Sequence, residues 1–265
     1  MKTKKESFQN HPFRHLHLCG SADRRRRDSH PCSEVSEVRY VAHRGYSDRY
    51  VDNTAEAFKA AAKMNFYGIE TDVRETADGI FVCNHDEFVR FADGSEKTVS
   101  SATFEELTAV PLLNKKTDSE VRVCLFEDYL KICKNGGKTA VIELKETFSR
   151  ESIRRILDLV DKYYDRKNIS VISFYLEPLL FVREADESID LQYLSEKGND
   201  PVFERCLEEK INIDVRQTIL TRRLVDSFHR KGLTVNVWTV NKKFDLAVVC
   251  AKQVDYVTSN LFCGE

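Results

Sequence analysis

Eight short β-prone segments alternate with amphipathic helical segments along most of the 265-residue sequence. Regular alternation of strand and helix with eight strands is typical of a closed barrel rather than an open sheet. A chain of this length can bury the core of one such domain. We therefore predict an α/β fold, a (β/α)8 TIM barrel, with strands at residues 38–42, 67–73, 139–144, 169–174, 189–194, 211–215, 233–237 and 254–258.

The first 37 residues differ from the rest, because they are rich in basic residues and histidines and have almost no periodic apolar pattern. The histidines with Cys19 could form a metal site, and the run Arg24 to Arg27 could bind nucleic acid or phosphate. Neither feature comes with a second ligand pair or a packed scaffold. We therefore predict a flexible basic tail over residues 1–37 and the barrel over residues 38–265.

The segment between the second and third barrel strands is unusually long. It contains a turn signal at Asp93-Gly94, a capping box formed by Thr103 and Glu106, and a helical segment from Phe126 to Lys134. A compact domain rarely carries a structureless loop of this length. We therefore predict an inserted subregion at about residues 87–138.

Charge and cysteine usage exclude several classes of protein. The net charge of -2 gives no bulk electrostatic reason to bind nucleic acid or an anionic membrane. No stretch approaches the apolar length of a transmembrane span or a signal peptide, and the eight cysteines show no C-x-x-C spacing. We expect a cytoplasmic protein that acts on a small molecule, without a nucleic-acid partner. Its oligomeric state is left open.

Three carboxylates fall on polar faces of neighbouring strands. Alternation of side chains places Glu70 and Asp72 on one face of the second strand and Glu143 on one face of the third. In a barrel these strand ends meet, and three inward-facing acids repel one another. One divalent cation resolves the repulsion, and ligation by oxygen alone favours Mg²⁺ or Ca²⁺ over zinc.

Two histidines and two cationic residues accompany the acids. His43 and His85 can serve as general base and general acid near neutral pH, although the sequence does not say which does which. Arg44 and Lys145, together with a cation, can hold an anion such as a phosphate diester. In the alternative interpretation, the carboxylates pair with Arg44, Arg74 and Lys145 and no metal is needed.

The motifs that carry these residues resemble the glycerophosphodiester phosphodiesterase family. They are H-R-G at 43–45, D-N-T at 52–54, G-I-E-T-D-V at 68–73, D-G at 78–79, H-D at 85–86 and E-L-K at 143–145. The resemblance implies a barrel with a small insertion after the second strand, Mg²⁺ or Ca²⁺ on Glu70, Asp72 and Glu143, an acid–base pair of His43 and His85, and phosphate contacts from Arg44 and Lys145. The family's usual P-E-N-T is V-D-N-T here, so that Asp52 replaces a longer acid.

Trp238, the only tryptophan, ends the seventh predicted strand. Barrel packing and a wall of the substrate pocket account for this position equally well, and the family resemblance supports the pocket wall.

The resemblance implies a phosphoric diester hydrolase that uses a metal to convert glycerophosphodiesters to glycerol 3-phosphate and an alcohol. Two alternatives stay open. One is a phospholipase-type barrel that acts on lysolipids or other phosphodiesters. The other is a catalytically idle phosphodiester-binding protein, which the presence of both histidines and all three carboxylates argues against.

Overall fold

The computed structural model describes residues 37–261. In chain order the elements are β1 (Arg39–Ala42), α1 (Ala55–Ala62), β2 (Gly68–Glu75), β3 (Phe81–Cys83), β4 (Phe88–Arg90), β5 (Glu96–Thr98), α2 (Phe104–Thr108), β6 (Cys124–Leu125), α3 (Phe126–Gly136), β7 (Thr139–Leu144), α4 (Arg150–Tyr163), β8 (Ile169–Ser173), α5 (Leu176–Ala185), β9 (Asp190–Ser195), α6 (Val202–Glu208), β10 (Asn212–Arg216), α7 (Arg222–His229), β11 (Val235–Trp238), α8 (Lys243–Cys250) and β12 (Tyr256–Ser259).

Eight of these strands close into a parallel barrel in the order β1, β2, β7, β8, β9, β10, β11, β12. The last strand returns to the first, with Arg39 to Ala42 paired in parallel with Tyr256 to Ser259. Each of the eight predicted strands overlaps one barrel strand. The predicted (β/α)8 barrel is therefore confirmed, with helices between the strands.

Local sequence signals set the helix boundaries. The side chain of Thr54 accepts a hydrogen bond from Ala57 N and caps α1. Thr103 and Glu106 form the predicted capping box of α2. The α3 helix ends at Gly136 and is capped by Gly137, whose φ of 61° lies in the left-handed region that glycine adopts at little cost.

The apolar core has two parts. The larger lies between the outer face of the barrel and the helices, and it includes Phe58, Tyr129 and Ile142. A small layer inside the barrel consists of Val41, Val141, Ile172 and Leu194. Because a parallel barrel is buried on both faces, its strands carry almost continuous apolar sequence, and the few inward polar side chains are exceptions that need a reason.

The extra elements after β2 lie between Phe81 and Leu125. The β3 strand pairs antiparallel with β2 and β6, β4 and β5 form a separate two-stranded sheet, and a second small core includes Val89, Phe91 and Leu107. These elements agree with the predicted insertion, while its boundaries at about residues 87–138 stay a prediction.

The predicted N-terminal tail, apart from its last residue, lies outside the described residues. Within residues 37–261, no helix combines the length and apolar character needed to cross a membrane.

Candidate active site

The three predicted metal ligands meet inside the barrel, at the carboxyl ends of two adjacent strands. Asp72 on β2 is in register with Glu143 on β7, and Glu70 lies two residues before Asp72 on the same face. One carboxylate oxygen from each residue lies within 4.8 Å of the other two, and all three side chains are buried. The sequence prediction therefore places these acids together correctly.

Each carboxylate has one oxygen engaged or lined up with a donor. Glu70 Oε2 accepts from the backbone N–H of Arg44 at 2.7 Å, and Asp72 Oδ2 accepts from Asn53 Nδ2 at 2.7 Å. Within the described chain, Glu70 Oε1 is buried and has no hydrogen-bond partner, while Asp72 Oδ1 and Glu143 Oε1 are buried and share the ammonium group of Lys145. Three converging carboxylates with a single lysine shared between two of them fit a hard divalent cation, since such ions take oxygen ligands.

The charges of the acids support the same interpretation. Burial and repulsion from Asp72 raise the pKa of Glu70 well above its usual range, and they raise the pKa of Glu143 to about 7. Burial would also raise the pKa of Asp72, but Arg44 and Lys145 outweigh it and bring that pKa down to about 2. The protein's own cations therefore stabilise only one acid fully, and a bound cation would let the other two ionise.

Arg44 and Lys145 form ion pairs with the acids. Lys145 Nζ is 2.8 Å from Glu143 Oε1 and 3.4 Å from Asp72 Oδ1. Arg44 Nε is 3.2 Å from Asp72 Oδ2, and its NH1 group is 3.3 Å from Asp52 Oδ2. The shorter acid at position 52 therefore still reaches the guanidinium.

The loop after β1 has an uncommon backbone conformation. Arg44 and Asn53 have φ angles of 55° and 57°, in the left-handed region that non-glycine residues seldom occupy. Gly45 has a φ of 79°, and a Cβ there would lie 2.7 Å from the backbone carbon of Ala57. This folding lets the Asn53 side chain bind both Asp72 and Thr71. Sequence reasoning missed that role, although D-N-T was a visible signal.

His43 lies at the end of β1 and contacts the far end of the chain. Its Nδ1 is 2.7 Å from Asn260 Oδ1, just after β12. Because an amide oxygen only accepts, Nδ1 carries the proton and Nε2 keeps a free lone pair. Burial and the neighbouring Arg44 lower the pKa of His43 to about 4. The imidazole is therefore neutral near pH 7 and can accept a proton.

His85 lies in the loop after β3 and has an acidic partner. Its Nδ1 is 2.8 Å from Asp86 Oδ1, and its carbonyl oxygen accepts two hydrogen bonds from Arg74. Burial lowers the pKa of His85, while Asp72 and the hydrogen bond to Asp86 oppose that decrease. Compared with His43, this histidine is better supported in its protonated form.

A cavity of about 250 Å³ opens beside these groups. Seven of the eight predicted site residues line it, and Asp72 lies next to it in contact with Arg44 and Lys145. Trp238 forms part of the wall: its ring meets Phe174 edge to face at 5.8 Å, and its Nε1 donates to Asp214 O. A second cavity of about 300 Å³ shares Arg44 and His85 with the first and reaches the insertion.

Sequence reasoning missed several residues that line the first cavity. They come from the later strands and are Ile172, Phe174, Leu194, Glu196, Asp214 and Thr258. Apart from their alternation on predicted strands, nothing in the sequence distinguishes them from ordinary barrel residues.

Comparison with known proteins shows the family. The model of the "Glycerophosphoryl diester phosphodiesterase family" matches residues 43–260. A glycerophosphodiester phosphodiesterase from Caldanaerobacter subterraneus is 25% identical, over 83% of this chain and 93% of its own length. A human lysophospholipase D is 24% identical, over 81% of this chain and 80% of its own length.

Solved structures are similar as well. A glycerophosphodiester phosphodiesterase from Thermotoga maritima is 27% identical with a TM-score of 0.68, covering 84% of this chain and 95% of that one. A phosphodiesterase from Oleispira antarctica, solved with its product sn-glycerol-3-phosphate, is 19% identical with a TM-score of 0.77, covering 84% and 92% of the two chains. Given this family match over most of the barrel, the chain belongs to the glycerophosphoryl diester phosphodiesterase family and is a phosphoric diester hydrolase.

Proposed function

We propose that this protein hydrolyses glycerophosphodiesters to glycerol 3-phosphate and an alcohol with the help of Mg²⁺ or Ca²⁺. The observation that carries the proposal is the buried, converging cluster of Glu70, Asp72 and Glu143 beside two histidines and two cations. The product bound to the Oleispira antarctica phosphodiesterase supports the same product here.

Arg44 and Lys145 would bind the phosphate oxygens. Both side chains line the cavity, and each already contacts Asp72, which fixes their positions before substrate arrives. A cation held by the three acids would polarise the phosphoryl group as a Lewis acid. Such preorganised charge is usually the largest contribution to catalysis of this kind.

We assign His43 as the general base and His85 as the general acid. The Nδ1 atom of His43 pairs with the amide of Asn260 rather than with an acid, which leaves the Nε2 lone pair to accept the proton of the attacking hydroxyl, from water or from the substrate. Asp86 supports the protonated form of His85, so that this imidazole donates its proton to the departing alcohol oxygen. Detection of a cyclic glycerophosphate would identify the substrate hydroxyl as the nucleophile.

The test is product release from glycerophosphocholine, glycerophosphoethanolamine and glycerophosphoinositol, with Mg²⁺, with Ca²⁺ and with a chelator. We expect glycerol 3-phosphate from at least one substrate, and we expect the chelator to abolish its release. Release of glycerol and a phosphorylated alcohol instead, or full activity with the chelator, would contradict the proposal.

The roles of the histidines are tested with a p-nitrophenyl leaving group, which needs no protonation. His85→Ala should lose about 10³-fold activity on an alkyl ester but only about 10-fold on the nitrophenyl ester. His43→Ala should lose a similar factor on both. His229→Ala is the matched control, because His229 pairs with Asp255 and does not line the cavity. Equal losses for His85→Ala on both esters would contradict the assignment.

A second candidate substrate is a lysolipid. Phe174 and Tyr175, at the end of β8, are 37% and 44% exposed, and Phe174 lines the cavity. An exposed aromatic pair at the mouth could contact an acyl chain, and a human relative is a lysophospholipase D. Higher kcat/KM for lysophosphatidylcholine than for glycerophosphocholine would favour this candidate.

We also propose a cytoplasmic location. It rests on the spacing of the cysteines and on the free thiols of Cys83, Cys124, Cys133, Cys206 and Cys250 among the described residues.

A further inference from the structure

Asp214 is a buried acid that neither the candidate metal site nor the proposed proton transfers use. It lies in the middle of β10, is only 1% exposed, and lines the same cavity as His43 and Lys145. An acid almost never occupies such a position without a partner. The question is therefore which hydrogen-bond partner each Asp214 carboxyl oxygen has.

One oxygen of Asp214 has a fixed partner. Asn236 Oδ1 accepts from the backbone N–H of Val237 at 2.7 Å and from Thr258 Oγ1, which sets the orientation of the Asn236 amide. Asn236 Nδ2 therefore faces Asp214 Oδ2, at 3.1 Å, and donates to it. The side chain of Asp214 is thus held in place from one side.

The other oxygen, Asp214 Oδ1, is buried and has no hydrogen-bond partner among the described residues. A buried polar atom left unpaired costs about 1–3 kcal/mol. A ligand that supplies a hydrogen bond there would recover this loss.

The chemistry at this oxygen selects a neutral partner. Burial, with repulsion from Glu143 and Asp190, raises the pKa of Asp214 well above its usual range. The raised pKa favours the neutral carboxyl group, which can both donate and accept a hydrogen bond. An alcohol hydroxyl matches it, whereas the phosphate is already matched by Arg44 and Lys145.

We infer that Asp214 is a specificity-determining residue that binds a hydroxyl of the substrate's glycerol group in this cavity. The inference rests on the proposed function, since it takes the phosphate of the same substrate to lie between Arg44 and Lys145. The inference restricts the substrates to phosphodiesters in which the group that enters the cavity carries a free hydroxyl.

The test measures binding rather than turnover, so that a substrate hydroxyl acting as nucleophile cannot confuse it. Calorimetry with Mg²⁺ present compares glycerol 3-phosphate with propyl phosphate, which lacks both hydroxyls. We expect the native protein to bind glycerol 3-phosphate about 30-fold more tightly than propyl phosphate. Asp214→Ala should reduce this ratio to about 3-fold or less.

Two further variants separate recognition from a structural role. Asp214→Asn can still donate from the free position and should keep most of the ratio. Asp200→Asn is the matched control, because Asp200 is another acid with a hydrogen-bond partner, Ser195, but does not line the cavity, and it should keep the native ratio. If Asp214→Ala does not fold, Asp214→Val replaces it, since valine suits the apolar layer nearby.

A native protein that binds both ligands equally, or an Asp214→Ala protein that keeps the native ratio or weakens both ligands by one factor, would overturn the inference. Turnover assays of the same samples separate it from the proposed function. A protein that discriminates in binding but hydrolyses no glycerophosphodiester contradicts the proposed function alone. One that hydrolyses them but does not discriminate contradicts the inference alone.

Discussion

The first three barrel strands and the last five supply different kinds of chemistry to one cavity. From β1, β2 and β7 come a histidine, two cations and the three carboxylates, held by short contacts to one another. The later strands line the cavity chiefly with apolar and neutral groups, such as Ile172, Leu194 and Thr258. On this comparison we propose a division between reactivity and selection, in which residues of the early strands set the rate and residues of the late strands set the preferred substrate.

The largest effect should follow from Asp72→Asn. This change removes the charge that holds both Arg44 and Lys145, and we expect kcat/KM to fall about 10³-fold in a product-release assay. Glu146→Gln is the matched control, because Glu146 pairs with Arg74 outside the cluster and its loss should change activity little. Retention of a tenth of native activity by Asp72→Asn would break the division between the two halves.

A smaller effect concerns the loop that supports Arg44. Gly45 and Gly137 both have positive φ, but only Gly45 would press a new Cβ against a neighbour. In urea unfolding, Gly137→Ala should cost about 1 kcal/mol and Gly45→Ala about 2–3 kcal/mol. If both variants lose the same free energy of unfolding, the loop around Gly45 is less tightly packed than its geometry indicates.

The next prediction concerns pH. The pKa of Glu143, about 7, is raised, so between its usual value and 7 the cation-free native state holds a proton that the unfolded chain has lost. Stability of the cation-free protein from this group therefore falls as pH rises through that window. Mg²⁺ must displace the proton, so its affinity, measured by calorimetry, should weaken up to about 10-fold from pH 7 to pH 6. A pH-independent affinity would contradict the assignment of Glu143 as a ligand.

The smallest effect should come from the late strands. Trp238→Phe keeps an aromatic ring beside Phe174 but loses the hydrogen bond to Asp214 O. We expect KM for a glycerophosphodiester to rise about 3-fold, with a smaller change in kcat. If kcat falls more than KM rises, Trp238 would instead belong with the residues of the first three strands that act in the reaction.

The sequence was sufficient to predict the early half, because its chemistry is charged and lies on strands with visible alternation. The alternation of side chains along the strands assigns Glu70, Asp72 and Glu143 to the barrel interior, and the three side chains do converge. The alternative pairing with basic residues was partly right, since Arg44 and Lys145 contact the acids, whereas Arg74 pairs with Glu146. The structure therefore shows ion pairs to the acids together with one buried carboxylate oxygen, Glu70 Oε1, that has no hydrogen-bond partner among the described residues.

The late half could not be predicted in the same way. Asp214 and Asn236 stand on predicted strands, but their roles depend on which atoms lack partners, and that depends on the register of β10 and β11. The role of Asn53 depends on a left-handed backbone conformation that its residue type permits but does not require. Sequence patterns predict which face of a strand a residue occupies and how residues are spaced. The atoms with which a side chain forms hydrogen bonds are set by three-dimensional packing.

The contact between His43 and Asn260 joins residues 217 positions apart. Contacts at such separation form late in folding, because the entropy cost of closing a long loop must be met before the contacts can stabilise the chain. His43 is therefore oriented only after β12 has docked against β1. Recovery of enzyme activity during refolding should consequently lag behind recovery of the helical circular dichroism signal, so that activity reports the moment at which the barrel closes.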